Sequence, residues 1–145
     1  MKKFIFNLQR ILTLKEKKEE LLKQELNRLF FKKKQHEHVK AHFEKTLETE
    51  YQKRREIKSI KAEEHELLEN YHFSIRNNIY NQALMINEYE LKIEAKRKEL
   101  LENRREIKTL EKLKEKQKEQ YAYELMQEER KTMDEVSNRL SFVKA

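Results

Sequence analysis

The fold is decided by residues 52–66, which read QKRREIKSIKAEEHE. Basic side chains come first and acidic ones follow: Lys53, Arg54, Arg55 and Lys58, then Glu63, Glu64 and Glu66. A helix dipole favours positive charge in the last turn and negative charge in the first turn. The stretch therefore predicts that one helix ends and another begins here, with a turn near residues 58–62 and Ser59 as the N-cap.

A rival turn lies at residues 74–78, where Ser74, Asn77 and Asn78 cluster. Apolar side chains continue through this rival at a spacing of four: Leu67, Tyr71, Ile75 and Ile79. An apolar face that continues without a break indicates a continuous helix, so we place the turn at the earlier position.

The composition extends this prediction to the whole chain. Its 145 residues include no glycine, proline, cysteine or tryptophan, and 42% are charged. Glycine and proline are the residues that interrupt helices and build tight turns. We expect an all-α protein in which two long helices form an antiparallel coiled-coil hairpin as a single domain over residues 1–145. Helix one should cover about residues 4–58, and the longer helix two about residues 62–141.

The apolar positions of both helices follow a heptad pattern with frequent polar interruptions. In helix one the frame runs through Phe4, Leu8, Ile11, Lys15, Lys18, Leu22, Glu25, Leu29, Lys32, His36, Val39 and Phe43. Helix two contributes Ile79, Ile86, Tyr89, Ile93, Leu100, Ile107, Leu110 and Leu113, and the frame shifts from Met126 onward. A parallel dimer would stack the charged positions against their own copies, whereas an antiparallel hairpin avoids this.

The predicted turn also fixes which residues face each other. Partners should have numbers that add up to about 120, so Phe4 should meet Lys116 and the chain from about residue 117 should extend as a single helix. Because both helices belong to one chain, we expect a monomer in isolation.

The net charge of +7 raises the question of anionic partners. Residues 1–61 carry 18 Lys and Arg against 9 Asp and Glu, whereas residues 62–145 carry 16 against 18. The two segments should attract each other weakly. Acidic residues are interleaved with the basic ones and no basic groove with stacked aromatics is present, so we expect no nucleic-acid partner.

Residues 1–6 resemble the start of a secretion signal, with two lysines before an apolar stretch. Asn7, Gln9 and Arg10 then interrupt that stretch, so the sequence does not predict a signal peptide. No apolar run approaches the roughly 20 residues that span a bilayer. An amphipathic face at Phe4, Leu8 and Ile11 leaves membrane-surface binding open. We predict a cytoplasmic protein.

Sequence signals of an enzyme are missing. The chain offers no glycine-rich loop for phosphate and no cysteine or Gly-Ser nucleophile. His38 and His42 are four residues apart, a spacing that can hold a metal, but no third ligand is evident. We therefore expect no catalytic residue, no cofactor and no metal.

Aromatic and branched side chains concentrate on both sides of the turn. They are Phe43, Leu47 and Tyr51 before it, and Tyr71, Phe73, Ile75 and Ile79 after it. A contact line between two helices cannot bury all of them, and exposed apolar groups on a small protein often form a partner surface.

Three stretches of the chain carry recognisable motifs. Residues 4–16 read FIFNLQRILTLKE, residues 110–117 read LEKLKEKQ, and the third stretch is Met133-Asp134-Glu135. They resemble the flagellar export protein family FliJ: the first is similar to its F-x-F-x-L-Q-x-x-L-x-L start, the second to a later segment and the third to its closing M-D-E signature. Their order and spacing extend the resemblance over the whole chain. Many members have a glycine at the turn, where this chain has Ser59.

The resemblance implies a soluble, stalk-like component of the flagellar type III export apparatus. It implies contact with the hexameric export ATPase (FliI), with the cytoplasmic part of the export gate (FlhA) and with export chaperones, at the inner face of the cell membrane. Aligned without gaps, the family's gate-contacting positions fall on Tyr71, Ile75 and Gln82. We place the ATPase contact at the other end of the hairpin, at Lys112, Lys114 and Lys116.

Other interpretations remain open. The chain could be a generic coiled-coil scaffold whose contact line closes between chains, or the stalk protein of a virulence secretion system. Steeply salt-dependent binding to DNA or RNA would instead indicate a basic nucleic-acid binder.

Overall fold

The computed structural model describes residues 2–144, and its regular structure consists of two helices. Helix α1 covers Gln9–Glu56 with 48 residues, and helix α2 covers Ala62–Lys144 with 83 residues. The helices pack against each other, which confirms the predicted all-α hairpin with the longer second helix. Within residues 2–144, neither helix has an apolar stretch long enough to cross a bilayer.

The connection between the helices covers residues 57–61, where the charge pattern predicted it. Basic residues fill the last turn of α1, and Glu63 and Glu64 lie in the first turn of α2, so both dipole ends face favourable charge. Ser59 is not the N-cap. The Lys61 carbonyl accepts the His65 N–H at 2.9 Å, which makes Lys61 the flanking residue.

The chain forms two compact units, each containing a part of both helices. Unit 1 combines Met1–Glu20 with Leu101–Ala145, and unit 2 is Leu21–Leu100. In unit 1, Gln9 contacts Lys114 and Glu19 contacts Arg104. Cross-helix pairs within unit 2 are Glu25–Lys96, Lys33–Glu90, His36–Gln82 and Tyr51–Arg76. Residue numbers rise along α1 as they fall along α2, so the helices are antiparallel in each unit.

The first residues are not helical, although the sequence predicted a helix from about Phe4. Helix α1 begins at Gln9, whose N–H bonds the Phe6 carbonyl at 3.0 Å. Phe6 is buried against Leu12 and Ile107, whereas Ile5 is 75% exposed. Residues 2–6 have no regular secondary structure and Asn7 and Leu8 form a turn, and Phe4 and Leu8 pack against the same cluster as Phe6.

The non-helical start also moves the partner of Phe4. Its ring packs against Tyr121, with centroids 5.7 Å apart, rather than against Lys116. The Tyr121 hydroxyl in turn donates to the Lys2 carbonyl. Irregular backbone and a turn at Asn7 and Leu8 separate Phe4 from α1, so the spacing of a continuous helix, which predicted Lys116, does not apply to Phe4.

The buried interior is a line of side chains along the helix contact, which we call the seam. Besides the cluster of Phe6, Leu12 and Ile107, its buried apolar members are Leu22, Ile75, Ile93 and Leu100. On α2 the seam follows alternating steps of three and four through His72, Ile75, Ile79, Gln82, Ile86, Tyr89, Ile93, Lys96, Leu100, Asn103, Ile107 and Leu110. Polar residues therefore occupy seam positions in both units.

Candidate interaction surfaces

The three predicted gate-contacting residues have different environments in unit 2. Tyr71 is 47% exposed, but Ile75 is 4% exposed and forms part of the seam. Gln82 is half-buried, and its Oε1 accepts a hydrogen bond from His36 Nδ1 at 2.7 Å. Of the three, Tyr71 presents its side chain to solvent most fully.

A second apolar side chain accompanies Tyr71 on the surface of α2. Leu67 precedes it by one helical turn and is 69% exposed. Residues four apart lie on the same helix face, so Leu67 and Tyr71 form a contiguous apolar patch close to the connection. The spacing of four was visible in the sequence, but it was used there to establish helix continuity and not to locate a surface.

Behind Tyr71, the seam of unit 2 contains a buried histidine that sequence reasoning missed. His72 is 1% exposed, and its ring packs on Tyr51 in an edge-to-face arrangement with the ring centroids 4.9 Å apart. The Tyr51 hydroxyl accepts a hydrogen bond from Arg76 at 2.7 Å. His72 Nε2 has no hydrogen-bond partner. The contact between Tyr51, His72 and Arg76 ties the two helices together next to the patch.

Unit 1 has an equivalent polar position at Asn103, which is 2% exposed. Its Nδ2 donates to the Lys15 carbonyl at 2.9 Å, while its Oδ1 has no partner. A buried amide within a helix seam favours one register, since other registers would bury it without this bond. Asn103 therefore fixes the alignment of α2 against the start of α1.

The three lysines predicted for ATPase contact divide into two groups. Lys112 and Lys116 are exposed and four residues apart, so they lie on one face of α2. Lys114 faces the N-terminal end of the chain. It donates to Gln9 Oε1 at 2.6 Å, and its ammonium lies 6.0 Å from the Phe6 ring centroid. Of the three predicted lysines, Lys112 and Lys116 together present positive charge to a partner.

Ion pairs across the seam run in both directions. Lys15 of α1 binds Glu106 of α2, and Glu25 of α1 binds Lys96 of α2 at 2.7 Å. The hydrogen bonds from Lys96 and from Lys15 lower the pKa of Glu25 and of Glu106, respectively. The stabilisation from a carboxylate with a lowered pKa is present at neutral pH and is lost as the pH falls through that pKa. Acid should therefore weaken the hairpin.

The last part of α2 carries exposed apolar residues in a new frame. They are Met126, Met133, Val136 and Leu140, which are 52%, 71%, 49% and 58% exposed. The steps of seven, three and four place them on one face of the helix. This face is a second candidate partner surface within unit 1.

The described residues contain no group of three or more His, Cys, Asp or Glu side chains placed to hold a metal ion. His38 and His42 are exposed on α1.

Comparison with known proteins identifies a family that the chain matches. A family model described as "Flagellar FliJ protein" matches residues 4–145. No curated protein and no solved structure gives a significant match.

Proposed function

The chain belongs to the flagellar FliJ family, and on that premise we propose that it is a stalk-like, non-enzymatic component of the flagellar export apparatus. It connects the export ATPase ring (FliI) with the cytoplasmic part of the export gate (FlhA), and it escorts export chaperones. It acts in the cytoplasm and is held at the inner face of the membrane through these partners. The observation that carries the proposal is the family match over nearly the whole chain.

The two units carry separate surfaces that could bind different partners of the export apparatus. Unit 2 contains the helix connection and the exposed patch of Leu67 and Tyr71. Unit 1 contains the paired Lys112 and Lys116, together with the exposed apolar face near the end of α2. We assign the gate contact to unit 2 and the ATPase contact to unit 1. Neither contact requires a catalytic group, because a coiled coil can act on a ring through its surface alone.

Tyr71→Ala is expected to weaken binding to the gate's cytoplasmic domain about tenfold, because partly exposed tyrosines often dominate binding energy at interfaces. The helix should remain intact, since alanine is the best helix former. Isothermal titration of the gate domain measures the affinity, and circular dichroism measures the helix content.

Tyr123→Ala is the matched control for this variant. Tyr123 is 59% exposed on α2 but belongs to unit 1. Its replacement should leave gate affinity unchanged. The assignment of the gate contact to Tyr71 would be contradicted if Tyr71→Ala bound the gate with unaltered affinity. It would also be contradicted if both variants lost the same gate affinity.

Joint charge reversal by Lys112→Glu and Lys116→Glu is expected to weaken stimulation of the export ATPase. The concentration needed for half-maximal stimulation should rise roughly tenfold, because like charges across an interface repel. Lys114 is left unchanged, because its bond to Gln9 supports the fold. The measurement is ATP hydrolysis by the ATPase as the concentration of the variant rises.

The matched control reverses two exposed lysines of unit 2, Lys58→Glu with Lys61→Glu, so that the change in net charge is the same. Both residues belong to the connection between the helices, outside the proposed ATPase contact. Full stimulation by the Lys112 and Lys116 variant would contradict the assignment, and so would the same loss in the control.

A further inference from the structure

Helix α2 carries a second line of apolar side chains in unit 2 that does not belong to the seam. Its six positions, which we call the back face, are Phe73, Asn77, Tyr80, Leu84, Asn87 and Leu91. Phe73, Tyr80, Leu84 and Leu91 are 65%, 61%, 48% and 66% exposed. The steps alternate between four and three, which is the spacing of a coiled-coil contact. The four large apolar groups, with Asn77 and Asn87 between them, form an exposed stripe.

The back face lies on the side of α2 that α1 does not cover. Successive helical residues are rotated by about 100°, which places Phe73 and Leu91 roughly 160–200° away from Ile75 and Ile93. Ile75 and Ile93 are each 4% exposed because they face α1. The hairpin therefore buries one heptad face of α2 and leaves the other to solvent.

The back face is symmetric in sequence about residue 82. Phe73 and Leu91 are nine positions from this centre, Asn77 and Asn87 are five, and Tyr80 and Leu84 are two. If two copies lay antiparallel with residue 82 at the centre, Phe73 would meet Leu91, Tyr80 would meet Leu84, and Asn77 would meet Asn87. Each apolar residue then faces an apolar one, and the amides face each other.

The charges beside the back face are also self-complementary. In an antiparallel pair, the residues just before the first core position of each heptad face their equivalents. On this flank Arg76 would meet Glu90, Glu69 would meet Arg97, and Ala83 would meet Ala83 of the second copy. On the other flank Ser74 meets Glu88 and Asn81 meets its own copy, so neither flank brings like charges together.

Several of these flanking groups are already held in place by α1. Arg76 donates to the Tyr51 hydroxyl, and Glu90 pairs with Lys33 at 3.4 Å. The Arg97 guanidinium lies 5.2 Å from the Phe30 ring centroid. Ordered side chains lose less conformational entropy on association, so these groups favour the contact.

Polar residues limit the back face at both of its ends. The next core layer beyond Phe73 and Leu91 would place Asn70 of one copy against Glu94 of the other. Both side chains are exposed in the hairpin. An amide beside a carboxylate adds no apolar area to the contact, so the complementary stripe ends with the layers of Phe73 and Leu91.

We propose that the back face of α2 binds the back face of a second copy of this chain, antiparallel and centred on residue 82. The contact covers about 27 Å of helix, which is small for a stable dimer, so the dimer forms reversibly. The Asn77–Asn87 layers set its register, as buried asparagines do in coiled coils. The contact does not depend on which partners the hairpin binds in the export apparatus.

Sedimentation equilibrium from about 5 to 500 micromolar, a range suited to a contact of this size, tests the contact. The unaltered chain should pass from monomer to dimer, and Leu84→Glu should weaken association more than tenfold, because it places a carboxylate against Tyr80 of the second copy. Leu21→Glu, at a leucine of α1 that is 59% exposed, should associate like the unaltered chain. A chain that remains monomeric throughout would overturn the proposal, even if Leu84→Glu then weakened binding to the gate or a chaperone.

Single cysteines test the antiparallel register, since the chain has no cysteine of its own. Ala83→Cys should form covalent dimers with a short bis-maleimide, because the two copies of residue 83 meet near the centre. Ala95→Cys should not, because its copies would be about 40 Å apart. Cross-linking of both variants, or of Ala95→Cys alone, would overturn the antiparallel arrangement.

Discussion

Replacing Phe6 with alanine is expected to lower the free energy of unfolding by about 3 kcal/mol, as measured for other large-to-small changes at buried aromatic positions. Phe6 is 6% exposed and packs against Leu12 and Ile107. Its carbonyl accepts the Gln9 N–H, and its ring is the most fully buried side chain of residues 2–8. Packing of this ring against Leu12 and Ile107 therefore contributes strongly to holding the N-terminal residues in place.

Ile5→Ala is the control for Phe6→Ala, because the two residues are adjacent and differ in burial. Ile5 is 75% exposed, so its replacement should change stability by less than about 0.5 kcal/mol. Urea unfolding followed by circular dichroism measures both variants. Equal effects of the two substitutions would contradict the selective burial of Phe6, and an effect of Ile5→Ala alone would reverse the assignment.

The second large effect is expected at Ile75, where alanine should lower the free energy of unfolding by about 3 kcal/mol. This residue is 4% exposed in the seam of unit 2, although the family resemblance places it among the gate-contacting positions. A loss of gate binding in Ile75→Ala would therefore come from a weakened hairpin. The same urea unfolding measures its stability.

Ile75→Val separates packing from direct contact. It should reduce stability by about 1 kcal/mol and leave gate affinity unchanged, because the hairpin stays folded and the side chain does not reach solvent. Gate affinity is measured without denaturant. A weaker gate affinity for Ile75→Val, at nearly full stability, would show that Ile75 contacts the gate directly.

The turn could be predicted from the sequence because charge acts locally. Lys53, Arg54 and Arg55 complement the last turn of one helix, and Glu63 and Glu64 complement the first turn of the next. The antiparallel arrangement follows from the same turn. The position of the turn and the antiparallel arrangement depend on residues that are close in sequence, so they can be predicted from one sequence alone.

The start of α1 could not be predicted in the same way. Phe4, Leu8 and Ile11 fit a heptad frame, and this pattern alone indicates a helix. In the structure Phe4 lies in irregular backbone and Leu8 in a turn, both before α1. This conformation depends on packing against Ile107 and Tyr121, about a hundred residues away, and the spacing of apolar residues near the N-terminus gives no information about those contacts.

The buried polar positions of the seam were missed for a different reason. His72 lies between two aromatic residues, and a search for apolar side chains selects Tyr71 and Phe73 instead. The structure buries His72 and exposes both neighbours, since position on the helix decides burial here and hydrophobicity does not. Following the three-four spacing without regard to polarity would have found both His72 and Asn103.

The candidate site was predicted only in part. Family resemblance indicated Tyr71, Ile75 and Gln82 as a set, and steps of four and seven do place them on one face of α2. Their exposures still differ, because Ile75 packs into the seam whereas Tyr71 is 47% exposed. Lys114 differs from Lys112 and Lys116 for another reason, since it lies two residues from each of them. A helix presents residues four apart on one face and residues two apart on different faces, which is the distinction that the two lysine groups show.

The assignment of different partners to the two units is tested most directly by a crossed experiment. Tyr71→Ala and the joint variant Lys112→Glu with Lys116→Glu are each measured for gate affinity and for ATPase stimulation. We expect the first variant to lose gate affinity alone and the second to lose ATPase stimulation alone. If both variants lost the same activity, or if each lost both, the division of partners between unit 2 and unit 1 would be contradicted.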